Sequence, residues 1–217
     1  MTSSNAQSPE EPSIFPPDSR PYGLSYEDHI KNYWKWFLAN PAEGGPVEDN
    51  TGEKCALGQK DTNPVFYLVG SGGGSKSRTC TIPAGKGLLI PTIVVEVSDK
   101  EIPGASVETL QEIAIDDQNK VNTLTLKIGD KVYGKEDLDR YRTLTDPFDV
   151  VFADNGHFGV VKGGPAKVVA DGRYIITGPL SKGTYNIEFK GIVGCLDPPI
   201  CTRTTFAQDV KYTLIVK

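Results

Sequence analysis

Methionine is almost missing from this chain: Met1 is the only one in 217 residues. Histidine is nearly as scarce, with His29 and His157 alone, so there is little material for a Ser-His-Asp triad or a histidine-rich metal centre. Neither a G-x-S-x-G elbow nor an H-E-x-x-H pair occurs. No apolar run approaches the roughly 20 residues that cross a bilayer, so no membrane span is expected. A basic excess is also lacking, because 23 Lys and Arg stand against 28 Asp and Glu, for a formal net charge of -5. Proteins that grip phosphate backbones do so with clustered cations, and nucleic acid is therefore not expected as a partner.

What the chain does contain is turn chemistry. Its 23 Gly and 16 Pro lean away from an all-helical protein. The opening stretch, Met1 to Tyr22, is rich in Ser, Pro and Glu and has too little apolar surface to offset its ordering entropy. Residues 1–22 are expected to be a disordered leader, and residues 23–217 a single domain. The leader has no basic start and no apolar core of a secretory signal, so for an exported protein we expect that a signal was removed.

One strong helix is predicted. Ser25 is placed to cap it, with an acid at the third helical position. Tyr26, His29, Ile30, Tyr33, Trp34, Phe37 and Leu38 follow at helical spacing, and Asn40-Pro41 ends the pattern. A second, short helix is expected over Val107 to about Asn119 behind Ser106, with Leu110, Ile113 and Ala114 inward. Strands are predicted at Val65–Val69, Arg78–Ile82, Gly87–Val97, Thr123–Ile128, Phe148–Ala153, Lys167–Ala170 and Arg173–Thr177. Two more come from the alternation of Tyr185, Ile187 and Phe189, and of Val210, Tyr212, Leu214 and Val216. Asn155-Gly156 and Asp171-Gly172 read as tight turns, and Ser181-Lys182-Gly183 as another hairpin turn. The fold class is therefore mainly β: an antiparallel β-sandwich, jelly-roll or Ig-like, with an N-terminal amphipathic helix and a second short one.

Four cysteines lie at Cys55, Cys80, Cys195 and Cys201, with no C-x-x-C pair, which disfavours a structural zinc site. Disulfides in an oxidising compartment are expected. Of three connectivities, Cys55–Cys80 with Cys195–Cys201 is favoured because each pair brackets a local loop. Loop closure would contribute about 3.5 kcal/mol for the first and about 2.4 kcal/mol for the second.

Several motifs come close to known chemistry and miss. GSGGGSKS follows an apolar strand like a phosphate-binding loop, yet Ser75 stands where Gly must precede Lys76, and a strand-like stretch follows instead of a helix. His29 lies on the apolar helix stripe, where a hydrogen-bonded core histidine is the ordinary outcome. His157 follows Asn155-Gly156 and is expected in an exposed hairpin tip facing Asp154. A metal site built from His157 with Asp149 and Asp154 is a weaker reading, for Ca²⁺ or a transition metal; with Asp146 the acids lack the EF-hand register. Glu96 is unusual because it interrupts an apolar strand; it must be paired, hydrogen-bonded or exposed, and exposure is the ordinary outcome. Tyr33, Trp34 and Trp36 span a wide arc of the helix; packing of a wide apolar face on a sheet is the ordinary outcome, and any ring left at the surface would suit stacking on a sugar or a partner protein.

The segments YEDHIKNYWKWFLANP, DNTGEKCALGQ and VFYLVGSGGGSKSRTCTIPAGKGLLIP, with LDRYRTLTDPFDV, ADGRYIITGPLSKGTYNIEF and FAQDVKYTLIV, carry a resemblance. Together they resemble a family of uncharacterised secreted bacterial and archaeal proteins over about Tyr22 to Lys217. The resemblance implies an exported β-rich domain and assigns no activity and no functional residue. The expectation is an extracellular or cell-surface protein with a binding or structural role, without catalytic residues or a cofactor, whose partner is a cell-surface protein or a glycan. His29, Trp34, Trp36 and Glu96 are its candidate binding residues. The alternatives are a metal-dependent enzyme or metal-binding protein using His and carboxylates, and a glycan or small-molecule binding module.

Overall fold

The computed structural model describes residues 10–194 and 206–217. Its first helix, α1 (Tyr26–Ala39), begins where the cap chemistry requires. Ser25 Oγ accepts from the Asp28 amide at 3.1 Å, and the Asp28 carboxylate accepts from the Ser25 amide in return. All seven residues of the predicted apolar stripe are buried.

The strands are β1 (Val65–Tyr67), β2 (Gly74–Ile82), β3 (Gly87–Ser98), β4 (Val121–Ile128), β5 (Lys131–Gly134), β6 (Arg142–Leu144), β7 (Phe148–Phe152), β8 (Gly164–Ile176), β9 (Gly183–Val193) and β10 (Phe206–Val216). Helix α2 (Val107–Asn119) lies at the expected place, and a short α3 (Lys135–Asp139) was not foreseen. The chain is mainly β, in two five-stranded sheets. One runs β1-β3-β8-β6 with β7 also on β8, and the other runs β2-β10-β9-β4-β5. Helix α1 covers β7 and β8, whereas α2 packs on β3 and β8.

The sheets are mixed, which corrects the all-antiparallel expectation: β1 joins β3 and β2 joins β10 in parallel. Alternation reports which residues face inward but not which distant strand lies alongside. Asp171-Gly172 is not a turn. Both residues lie inside a continuous β8, paired with Val95 and Val94. Buried Asp171 receives the Arg142 guanidinium at 2.6 Å, and a Cβ on Gly172 would sit 2.6 Å from the Val94 Cα, so glycine serves close strand approach there. The stretch around Ser181-Lys182-Gly183 is not a hairpin either, since it carries the chain from β8 in one sheet to β9 in the other. Asn155-Gly156 does lie between the antiparallel partners β7 and β8, but only Asn155 has positive φ, at 47°.

Two irregular stretches are tied down. Residues 10–22, expected to be disordered, dock on the body through Phe15 N to Ile176 O at 3.0 Å, Gly178 N to Ser13 O at 2.8 Å and Tyr22 Oη to Thr177 O at 2.9 Å. The loop after α1 is held from β2. Fully buried Arg78 donates to the carbonyls of Val47, Asp49, Val69 and Gly70 and to Tyr212 Oη. Cys55 is bonded to Cys80, with Cα atoms 6.0 Å apart. Cys195 and Cys201 lie outside the described residues.

Candidate functional site

The site begins with an unfinished sheet edge. Strand β1 covers the outer edge of β3 only from Gly87 to Leu89. Beyond a register shift between Pro91 and Ile93, that edge has no strand beside it among the described residues. Its two ends are closed by side chains. Gln208 Nε2 donates to Thr92 O at 2.6 Å, and the Ser98 amide donates to Glu101 Oε2 at 3.0 Å. Ala170, opposite Glu96, exchanges its main-chain bonds with Thr145 on the far side of β8. Glu96 and Val94 therefore occupy non-hydrogen-bonded positions toward β8 and turn their amides and carbonyls to the open edge.

A cleft of about 490 Å³ runs along this edge. Trp34 from α1, Ile113 and Gln118 from α2, Phe158 and Phe206 form its other walls. It shares Trp34, Val94, Phe158 and Phe206 with a neighbouring space of about 300 Å³ that His157 and Phe37 also line. Phe158 is 54% and Phe206 39% exposed, so aromatic faces stand at the mouth.

Glu96 lies inside this cleft and is 4% exposed, which corrects the expectation of a solvent-facing carboxylate. Neither of its oxygens meets a donor among the described residues. Burial pushes its carboxyl well above the usual glutamate value, and the charge of the neighbouring Glu101 pushes it further. Burial also raises Glu101, against the bonds from Ser98 that favour its ionised form. Glu96 therefore keeps its proton to a higher pH than an ordinary glutamate, with the Glu101 carboxyl lining the same cleft. The floor of the cleft thus holds two neighbouring carboxyls, of which Glu96 is held the further above the usual glutamate value.

Trp34 is fixed by its own bond, Nε1 donating to Tyr174 Oη at 2.8 Å. His157 is buried rather than exposed at a hairpin tip. Its ring lies 4.2 Å from that of Phe37, and burial lowers its pKa against the opposing charge of Glu48. The structure thus brings Trp34 together with Glu96 in one space and with His157 in the next.

The other candidates lie elsewhere. His29 Nε2 is 2.8 Å from Pro21 O and edge-on to Tyr22, so it holds the docked N-terminal stretch. Half-buried Trp36 donates to Leu57 O at 3.0 Å and lines a different cavity of about 480 Å³ with Tyr67, Asn32, Asn63 and Lys60. Asp149 pairs with Lys167 at 2.5 Å, and Asp154 accepts from the Gly163 amide at 2.8 Å. Among the described residues, no three His, Cys, Asp or Glu side chains are grouped to hold a metal ion. Lys76 of the glycine-rich stretch lies on β2 and donates to Glu48 O and Asn50 Oδ1. Sequence reasoning missed Glu101, Phe158 and Phe206. Glu101 had a weak signal, as an acid three residues beyond Ser98 at a strand end; the two phenylalanines had none.

Comparison with known proteins adds no identity. No protein-family model matches the chain, and no curated protein matches it. Among solved structures, the solution structure of amebosin is similar at 13% identity over 65% of this chain and 97% of that one. Its TM-score of 0.16 supports no argument about fold or function.

Proposed function

We propose that the protein is an exported, non-enzymatic binding module that holds a small organic ligand in the cleft beside β3. The observation that carries this reading is Glu96. A buried carboxyl in an apolar strand with no donor among the described residues is costly, and it lies in a largely apolar cleft where a ligand would supply the missing hydrogen bonds. A mostly apolar concavity of this size with a few convergent polar groups is the usual form of a small-molecule site. Export is supported by the Cys55–Cys80 disulfide, a bond typical of oxidising compartments.

The two tryptophans make the test direct, because each lines a different cavity. In Trp36→Phe, Trp34 is the only indole left, and saturable changes in its emission report the cleft. We expect small arylalkyl compounds to give such changes, and Phe158→Ala, at an exposed wall residue, to weaken them. No saturable binding across a fragment set, by emission or by calorimetry, would sink the reading.

A glycan reading rests on the other cavity. Trp36 and Tyr67 there are ringed by Asn32, Asn63 and Lys60, the combination of flat faces and donors that sugars use. In Trp34→Phe, only Trp36 reports; quenching by oligosaccharides there, with Trp34 silent in the first variant, would favour it.

A further inference from the structure

The chemistry of the cleft floor narrows the ligand class, an inference that rests on the cleft being a ligand site. The open strand edge offers the amides and carbonyls of Val94 and Glu96 alike, so what tips the cleft toward acceptors is the pair of side-chain carboxyls, Glu96 and Glu101. Two adjacent carboxyls in an apolar setting call for a cation, and among the described residues those on the surrounding elements are engaged elsewhere. Lys120 pairs with Asp116 and Asp117 on α2. Arg173 bonds Asp139 and Gln118, and Arg142 bonds Asp171 and Asn119. Trp34, Phe158 and Phe206 add ring faces to otherwise largely aliphatic walls, and ring faces attract cations more strongly where water is excluded.

We propose that the cleft selects an ammonium group on a short apolar body, with the nitrogen between Glu96 and Glu101 and the body against Trp34, Phe158 and Phe206. An ammonium has donors and no acceptors, which matches what the floor lacks. A neutral alcohol offers one donor and no charge to set against either carboxyl.

Seating the cation beside Glu96 favours its ionisation, so affinity is linked to pH. The titratable and charged groups facing Glu96 are Glu101 from the β3–α2 connection, Asp117 and Lys120 from α2, and Tyr174 from β8. Burial holds Tyr174 well above the usual tyrosine range, and Lys120 stays with its aspartates. The proton released comes from Glu96, and affinity rises with pH by up to about tenfold per unit while Glu96 still holds it.

The test compares phenethylammonium with 2-phenylethanol on the Trp36→Phe protein, by Trp34 emission and calorimetry at pH 6 and pH 8. We expect the ammonium to bind more tightly than the alcohol, and the difference to widen at pH 8. Glu96→Gln keeps the shape of the side chain and should weaken the ammonium about 10- to 100-fold, the usual effect of losing a hydrogen bond to a charged group. Its folding is checked by thermal melting, and Glu101→Gln supplies a second variant with the same expectation. Equal binding of the alcohol at both pH values, or undiminished ammonium binding in Glu96→Gln, overturns the ammonium inference and leaves the cleft reading standing. Binding of neither compound overturns the inference; the cleft reading falls only if the wider fragment set also fails.

Discussion

Ionising Glu96 in the folded protein places charge where no donor solvates it, and this has a definite pH signature. Its folded-state value lies well above the unfolded one, near 4.5, so the folded protein keeps a proton that the unfolded chain releases. That contribution to stability is fully present below about pH 4.5 and is lost as pH rises through the folded value, at up to about 1.4 kcal/mol per pH unit. Glu96→Gln removes the titration. Urea unfolding at pH 5, 6, 7 and 8 should therefore show the variant gaining on the wild type with each step, and parallel curves would contradict the assignment. His157 works in the other direction. Its pKa is lowered by burial, so its contribution holds above the unfolded value near 6.5 and fades as pH falls through the folded one. The oddity of Glu96 was legible in the sequence, as a carboxylate in an apolar strand. Its partner was not, because Glu101 reaches back to Ser98 from beyond the strand end.

Elements were legible where their determinants are local. The ends of α1 follow from the Ser25–Asp28 cap and Asn40-Pro41, and its buried face from simple periodicity. Strand β8 was split in two because Asp171-Gly172 has turn chemistry, while its real causes, the Arg142 ion pair and the close approach of Val94, come from other elements. The same kind of long-range contact sets how closely the sheets approach. Gly191 on β9 has no side chain because Ile93 on β3 occupies that space, and a Cβ there would overlap Ile93 Cγ1 and Cδ1. Ile is stiff at χ1 and has little freedom to move aside. Gly191→Ala should cost about 1 to 3 kcal/mol by overpacking. Ile93→Ala should cost about 2 to 5 kcal/mol by opening a cavity. In the double variant the new methyl enters the vacated space, so the combined loss should fall below the sum of the two by at least about 0.5 kcal/mol. Strict additivity in urea unfolding would show that the two residues do not meet.

For the whole molecule, closure depends on pairings between distant parts of the chain. Strand β2 is an edge strand of its sheet and is attached through β10, the last strand of the chain. It carries both devices that hold the irregular stretch after α1: the Arg78 guanidinium, which gathers carbonyls from two loops, and Cys80, bonded to Cys55. The stretch contributes few apolar side chains to the core, apart from Cys55 itself and partly buried Val47, so most of its ordering must come from these ties. The disulfide was read from spacing alone, whereas Arg78 gave no sign that it would be buried, since an arginine on an alternating strand normally faces water. The two ties differ in what breaks them. Cys55→Ala/Cys80→Ala should lower global stability by about 3.5 kcal/mol through the larger loop entropy of the unfolded chain. Arg78 remains in the double variant, so the amide of Thr79, bonded to Thr51 O at 2.8 Å, should stay protected from hydrogen exchange relative to the new global stability. If that protection collapses to the level of an open loop while the sheets remain folded, the disulfide and not the guanidinium holds the stretch in place.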